Sequence, residues 1–398
     1  MKDRKKEVTA VCKRLIQSKS YSGEENIVVD EIKDICMEFG FDEIYVDKYG
    51  SIIAKIKGNK PGKKVLLDAH IDTVPVGDIE KWTRNPFGGE EIDGKIYGRG
   101  ASDMKGALAA MLVAIKNFRD ENHGDFSGEV VVAGVVHEEC FEGVAARNIS
   151  ESESPDFVVI GEASELNLKI GQRGRAEIIV ETFGIPAHSA NPEKGINAVY
   201  GMSKVIEKLR TIECSHNETL GKGVLELTDI KSSPYPGASV VPDYCRVTYD
   251  RRLLVGETRE SVLKPIEEAA QELKKENPSL NCKVSYSFGK EKCYTGNIIE
   301  GERFFPAWLF DSNEPFITNV YEGLKSVGLA PEITHYSFCT NGSHYAGEKN
   351  IKTIGFGPSK ENIAHTIDEY IEVSQLEGAC IGYEKIIETL LTLKGGMI

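Results

Sequence analysis

No apolar run in this 398-residue sequence approaches the length of about 20 that a membrane-spanning helix requires. Near the start, Val8, Val11, Leu15 and Ile16 are spaced as on one helix face, so the continuous core of a signal peptide is missing too, and a cytoplasmic protein is expected. Positive charge is in short supply: 48 Lys and Arg stand against 62 Asp and Glu, for a net charge of −14. A nucleic-acid partner needs a basic face with aromatic residues beside it, and here the aromatics are dispersed, so neither nucleic acid nor a membrane is an expected partner. Paired cysteines are missing as well. The nine cysteines are odd in number and show no Cys-x-x-Cys spacing, as expected for thiols in a reducing compartment. There is no His-Glu-x-x-His, and the glycines of residues 98–106 do not have dinucleotide-binding spacing.

What is present is a regular succession of elements. Residues 8–16 and 24–39 carry helical periodicity, residues 44–46 and 51–56 read as a hairpin, and residues 65–67 read as a core strand. A helix follows from residue 104, then an apolar strand over 129–136, a short helix over 143–149 and a core strand over 157–160. Strands buried on both faces and alternating with helices predict a mostly parallel α/β sheet. From residue 175 the texture changes to alternating strands with helices over 198–209 and 261–275, and near residue 294 the first texture returns. The expected organisation is a catalytic domain in two parts, 1–174 and 294–398, interrupted by an inserted α+β domain over 175–293.

Polar residues of one kind end the predicted core strands. His70 and Asp72 follow the first, Glu138 and Glu139 another and Glu162 a third, while Asp103 sits at a loop-to-helix junction and His365 follows the strand near Phe356. In α/β sheets, sites form outside the carboxyl ends of strands. Two imidazoles with several carboxylates suit zinc, cobalt or manganese, and are too rich in histidine for calcium or magnesium. Five ligands exceed one tetrahedral zinc. They suit two divalent ions sharing a bridging carboxylate, with water in the remaining position.

The motifs His70-Ile71-Asp72, the run from Gly98 through Asp103 to Gly106, His137-Glu138-Glu139, Gly161-Glu162 and Ala364-His365-Thr366 resemble those of one family. It is the family of co-catalytic zinc hydrolases that includes aminoacylases, acetylornithine deacetylase, succinyl-diaminopimelate desuccinylase and carboxypeptidases. Smaller details around Phe305, Cys339 and Gly355 resemble a branch of selenium-metabolism-linked hydrolases. The resemblance implies a zinc-exopeptidase-like catalytic domain and a ferredoxin-like inserted domain that serves as lid and dimer interface. It also implies a ligand set of His70, Asp103, Glu139, Glu162 and His365, with Asp103 bridging two ions and followed by a cis peptide. Asp72 would orient His70, and Glu138 would be the general base.

The same resemblance extends to the substrate side. His188, in Gly184-Ile185-Pro186-Ala187-His188, would help hold a substrate carbonyl, in some relatives from across a dimer; the other reading is a plain turn histidine. Arg252 would grip a substrate carboxylate or form a structural ion pair. Asn341 and Gly342 would bind the polar end of the substrate or simply make a turn. The implied activity is hydrolysis of an amide bond in a small N-acyl amino acid or related carboxylate-bearing molecule. The alternatives are a dipeptidase or aminopeptidase of the same family, and a binding homologue without turnover.

Overall fold

Val65, Leu66, Leu67 and Ala69 are all fully buried, and a run buried on both faces belongs at the centre of a sheet. The computed structural model, which describes residues 4–237 and 239–393, places it there. The chain begins with helices α1 (Arg4–Gln17) and α2 (Asn26–Glu38), then strands β1 (Glu43–Val46), β2 (Ile52–Lys57) and β3 (Lys60–His70). Short strands β4 (Glu90–Ile92) and β5 (Lys95–Tyr97) precede helix α3 (Gly106–Glu121). Strand β6 (Ser127–Val135), helix α4 (Val144–Glu153), and strands β7 (Phe157–Ile160) and β8 (Leu168–Gln172) follow.

The sheet runs in the order β1, β2, β6, β3, β7, strand Lys352–Gly355, then β8 with strand Ile333–Tyr336 beside it. β3 lies parallel to both β6 and β7, and β7 is parallel to Lys352–Gly355. The register puts His70 opposite Val135 and Asp68 opposite Ile160. The carboxyl ends of three central strands are therefore level. α3 is buried along nearly its whole length, packed between α1 and the last helix, Val373–Thr392. Its start at Gly106 rather than residue 104 follows from the φ and ψ angles of Asp103 and Met104, which are not helical; the peptide between those two residues is cis.

The chain divides into two compact units. The first comprises the described residues up to Gln172, Lys290–Glu300 and those from Leu309 on; the second comprises Arg173–Gly289 and Gly301–Trp308. In the second unit the antiparallel strands are ordered Val224–Ser233, Tyr244–Leu253, Gly174–Phe183, Asn281–Tyr286. Helix Ala198–Leu209 follows the first of these in the chain and helix Arg259–Glu276 precedes the last, giving the β-α-β-β-α-β arrangement of ferredoxin-like folds. The sequence reading ended the insertion at residue 293. The structure returns Gly301–Trp308 to the second unit because Phe304 and Phe305 pair with Ala176 and Arg175 on strand Gly174–Phe183. Among the described residues, no helix is long and apolar enough to cross a membrane.

Candidate metal centre

His70 ends β3 almost fully buried, and its Nδ1 lies 2.8 Å from the main-chain oxygen of Asp72. A carbonyl can only accept, so Nδ1 carries the proton in the neutral ring and Nε2 turns its lone pair inward. There Nε2 lies 2.8 Å from Asp103 Oδ1 and 3.6 Å from Glu162 Oε1. The family resemblance has Asp72 orient His70. The Asp72 main-chain oxygen does so, the nearest carboxylate oxygen being 3.8 Å from Nδ1. The carboxylate has other partners: it accepts from Ser22 Oγ at 2.7 Å, from the backbone amide of Glu138 at 3.0 Å and from that of Glu139 at 3.2 Å. One aspartate thus anchors the loop that carries both glutamates.

The remaining residues close around this core. His365 Nε2 is 3.1 Å from both Asp103 Oδ2 and Glu139 Oε1. Its backbone lies in the left-handed region, with φ of 62°, as does that of His137, with φ of 57°. Non-glycine residues seldom adopt that conformation, and it is concentrated at functional sites. Two groups of ligand atoms result, with all atoms in a group within 4.8 Å of one another: His70, Glu138 and Glu162; and His70, Asp103 and Glu139.

The charges show why these side chains need a cation. Burial pushes the carboxyls of Glu138, Glu139 and Glu162 up, and neighbouring carboxylates add to the shift. Burial alone would raise Asp103 too, but the His365 and His70 rings beside it, when protonated, hold it below the usual carboxylate range. His365 is pushed up to about 10 by its bonds to Asp103 and Glu139. Four carboxyls, two buried and two partly buried, facing two imidazoles cannot all ionise together without more positive charge. The oxygen and imidazole donors fit divalent ions of the zinc, cobalt or manganese type.

The residues expected to bind substrate have partners of their own. Asn341 is buried, its Oδ1 accepting from Gly143 N at 2.8 Å and its Nδ2 donating to Asp68 Oδ1 at 2.9 Å. Both ends of the amide expected to hold substrate are thus committed within the protein. Gly342 N donates to Thr340 Oγ1. Asp68, given no role in the sequence reading, is fully buried, also accepts from Tyr345 Oη at 2.9 Å, and is pushed up to about 6 by burial. Its only signal in the sequence was a carboxylate inside a core strand. His188 and Arg252 belong to the second unit. His188 is exposed and accepts from Ala190 N at 3.0 Å, a turn contact. Arg252 forms the ion pair weighed for it, 2.7 Å from Asp250, which also meets Arg175 at 2.9 Å.

A buried imidazole, a second, half-exposed one and a cluster of carboxylates, gathered near the carboxyl ends of parallel strands, are the arrangement of a metal-dependent hydrolase. Residues 66–389 match Peptidase family M20/M25/M40, and the chain belongs to that family, whose members hydrolyse amide and peptide bonds. It is 34% identical over 392 residues to the uncharacterized protein YgeY of Escherichia coli K12, covering 97% of this chain and 94% of that one. It is 28% identical over 399 residues to a succinyl-diaminopimelate desuccinylase of Cereibacter sphaeroides, covering 95% of this chain and 97% of the other. Among solved structures, a tripeptidase from Staphylococcus aureus superposes with a TM-score of 0.76 at 19% identity, covering 96% of this chain and 98% of that one. At that identity the likeness is one of fold.

Proposed function

We propose that this protein removes an acyl group, such as acetyl or succinyl, from the nitrogen of a small carboxylate-bearing molecule of the N-acyl amino acid class, using two divalent ions, zinc foremost. The observation that carries this reading is the pair of ligand groups sharing His70 with Glu138 buried among them. The similarity to a desuccinylase along nearly the whole chain supports the choice of an acyl amide over a peptide.

When bound, the ions lower the pKa of a water to about 7 and polarise the scissile carbonyl. The chain's own residues do the rest. Glu138 acts as general base, taking the proton of the attacking water and delivering it to the leaving nitrogen. Asp72 holds the Glu138 amide, so the backbone that carries this carboxylate is fixed without help from substrate.

The test is a mass-spectrometric screen of metal-stripped protein reloaded with zinc, cobalt or manganese. The substrates are pooled N-acetyl, N-succinyl and N-carbamoyl amino acids and dipeptides, with Glu138→Gln alongside. The expected outcome is loss of an acyl group in one pool only with metal. Glu138→Gln should keep its metal and lose on the order of 10²–10⁴ in kcat. Turnover of dipeptides alone would replace this reading with the peptidase one. Near-normal turnover by Glu138→Gln would remove that residue from its role.

A further inference from the structure

Asp103 is the carboxylate that faces both imidazoles, and its backbone is held from the far end of the chain. Glu369 is fully buried, and its Oε1 accepts from the backbone amides of Ser102 at 2.8 Å and Asp103 at 3.2 Å. Its Oε2 meets Arg99 Nη1 at 2.5 Å, and Arg99, itself buried, lies with its guanidinium 5.2 Å from the centre of the Trp82 ring. Strand pairing explains how Glu369 comes to be there. Strand Tyr370–Glu372 runs antiparallel to β5, with Tyr370 opposite Tyr97, and Gly98 N donates to the Glu369 main-chain oxygen at 2.8 Å, extending the ladder.

Gly98 is itself closely packed against helix α1. Its φ is 151°, and a Cβ there would lie 2.4 Å from Ile16 Cγ2. The Glu369 segment is tied on its other side as well, since Asp368 accepts from Thr83 N at 2.9 Å and Thr83 Oγ1 at 2.7 Å. His365 sits four residues before Glu369. A single buried carboxylate therefore joins the segment carrying one imidazole to the backbone of the aspartate that imidazole faces.

We propose that Glu369, balanced by Arg99, is a positioning residue that fixes the Asp103 backbone so that Oδ1 is held toward His70 and Oδ2 toward His365. The proposal rests on the reading of Asp103 as a metal ligand. Two consecutive amides bonded to a carboxylate leave the aspartate little but its side-chain torsions to adjust. Groups that orient ligands in this way typically govern metal affinity by about 10–100-fold.

The test compares metal-free wild type and Glu369→Gln by calorimetric titration with cobalt(II), with the visible cobalt spectrum recorded at each addition. Circular dichroism checks the fold. Wild type should take up two equivalents. Glu369→Gln should bind at least one of them about 10–100-fold more weakly, with shifted visible bands. Cobalt affinities and bands equal to wild type, even with a lowered melting temperature, would mean that Glu369 only stabilises the fold and would overturn the proposal. Wild type that binds no cobalt would overturn both this proposal and the metal reading it rests on. Should Glu369→Gln not fold, Arg99→Lys, which keeps the charge and loses the planar fork, serves in its place. Weaker binding then supports the proposal, and wild-type binding overturns it.

Discussion

Asp72 shows how much one side chain can hold. Its main-chain oxygen sets the His70 tautomer while its carboxylate takes the amides of Glu138 and Glu139. An i, i+2 spacing at a strand end shows that Asp72 lies near His70 but not which of its oxygens turns inward, and that only the structure shows. Asn341 marks a larger gap. The family resemblance made it a substrate contact and turn composition a plain turn residue, whereas the structure spends its amide on Asp68 and Gly143. Replacing Asn341 with Ala leaves a buried carboxylate and a buried amide each short of a partner. That should cost about 1–3 kcal/mol in a urea melt, with KM unchanged. A raised KM at unchanged stability would return Asn341 to the substrate.

The central strands explain why the site forms at all. β3, β6 and β7 are parallel and in register at their carboxyl ends, so loops leaving them converge although their residues are far apart in sequence. Helix α4 is tied to the turn Ser343–Glu348 by a second polar set. His344 joins Ser150 at 2.6 Å and Glu348 at 2.7 Å, and Arg147 meets Glu348 at 2.7 Å. Burial alone would raise the Glu348 carboxyl, but hydrogen bonds from His344 and Arg147 bring it down to about 2. A carboxylate lowered on folding stabilises the native state above its unfolded pKa of about 4.5, and that stability is lost as pH falls toward 2. Glu348→Gln should therefore destabilise the protein by on the order of 1–3 kcal/mol at pH 6, and by much less near pH 2, in melts across that range. A deficit independent of pH would assign the loss to packing instead.

For the molecule as a whole, the homodimer that the family resemblance implies can be tested at the second unit. Strand Val224–Ser233 pairs on one side only among the described residues and exposes Ile230 at 54%, an open edge of the kind that proteins cover or pair. Light scattering coupled to size exclusion should give twice the chain mass, and Ile230→Lys should shift it toward the monomer. A wild-type monomer at micromolar concentration would remove the expected homodimer. Much of the design was readable from local pattern. Apolar runs that end in His70, Glu138 and Glu162 declare core strands with polar ends, and the change of texture near residue 175 declares an insertion, because burial and periodicity are properties of neighbouring residues. Closure over distance was not readable. Arg99 and Glu369 stand 270 positions apart, and Asn341 and Asp68 stand 273 apart. Such pairs meet only through sheet register, so tertiary structure alone decided which buried carboxylates face the metal centre and which hold its backbone in place.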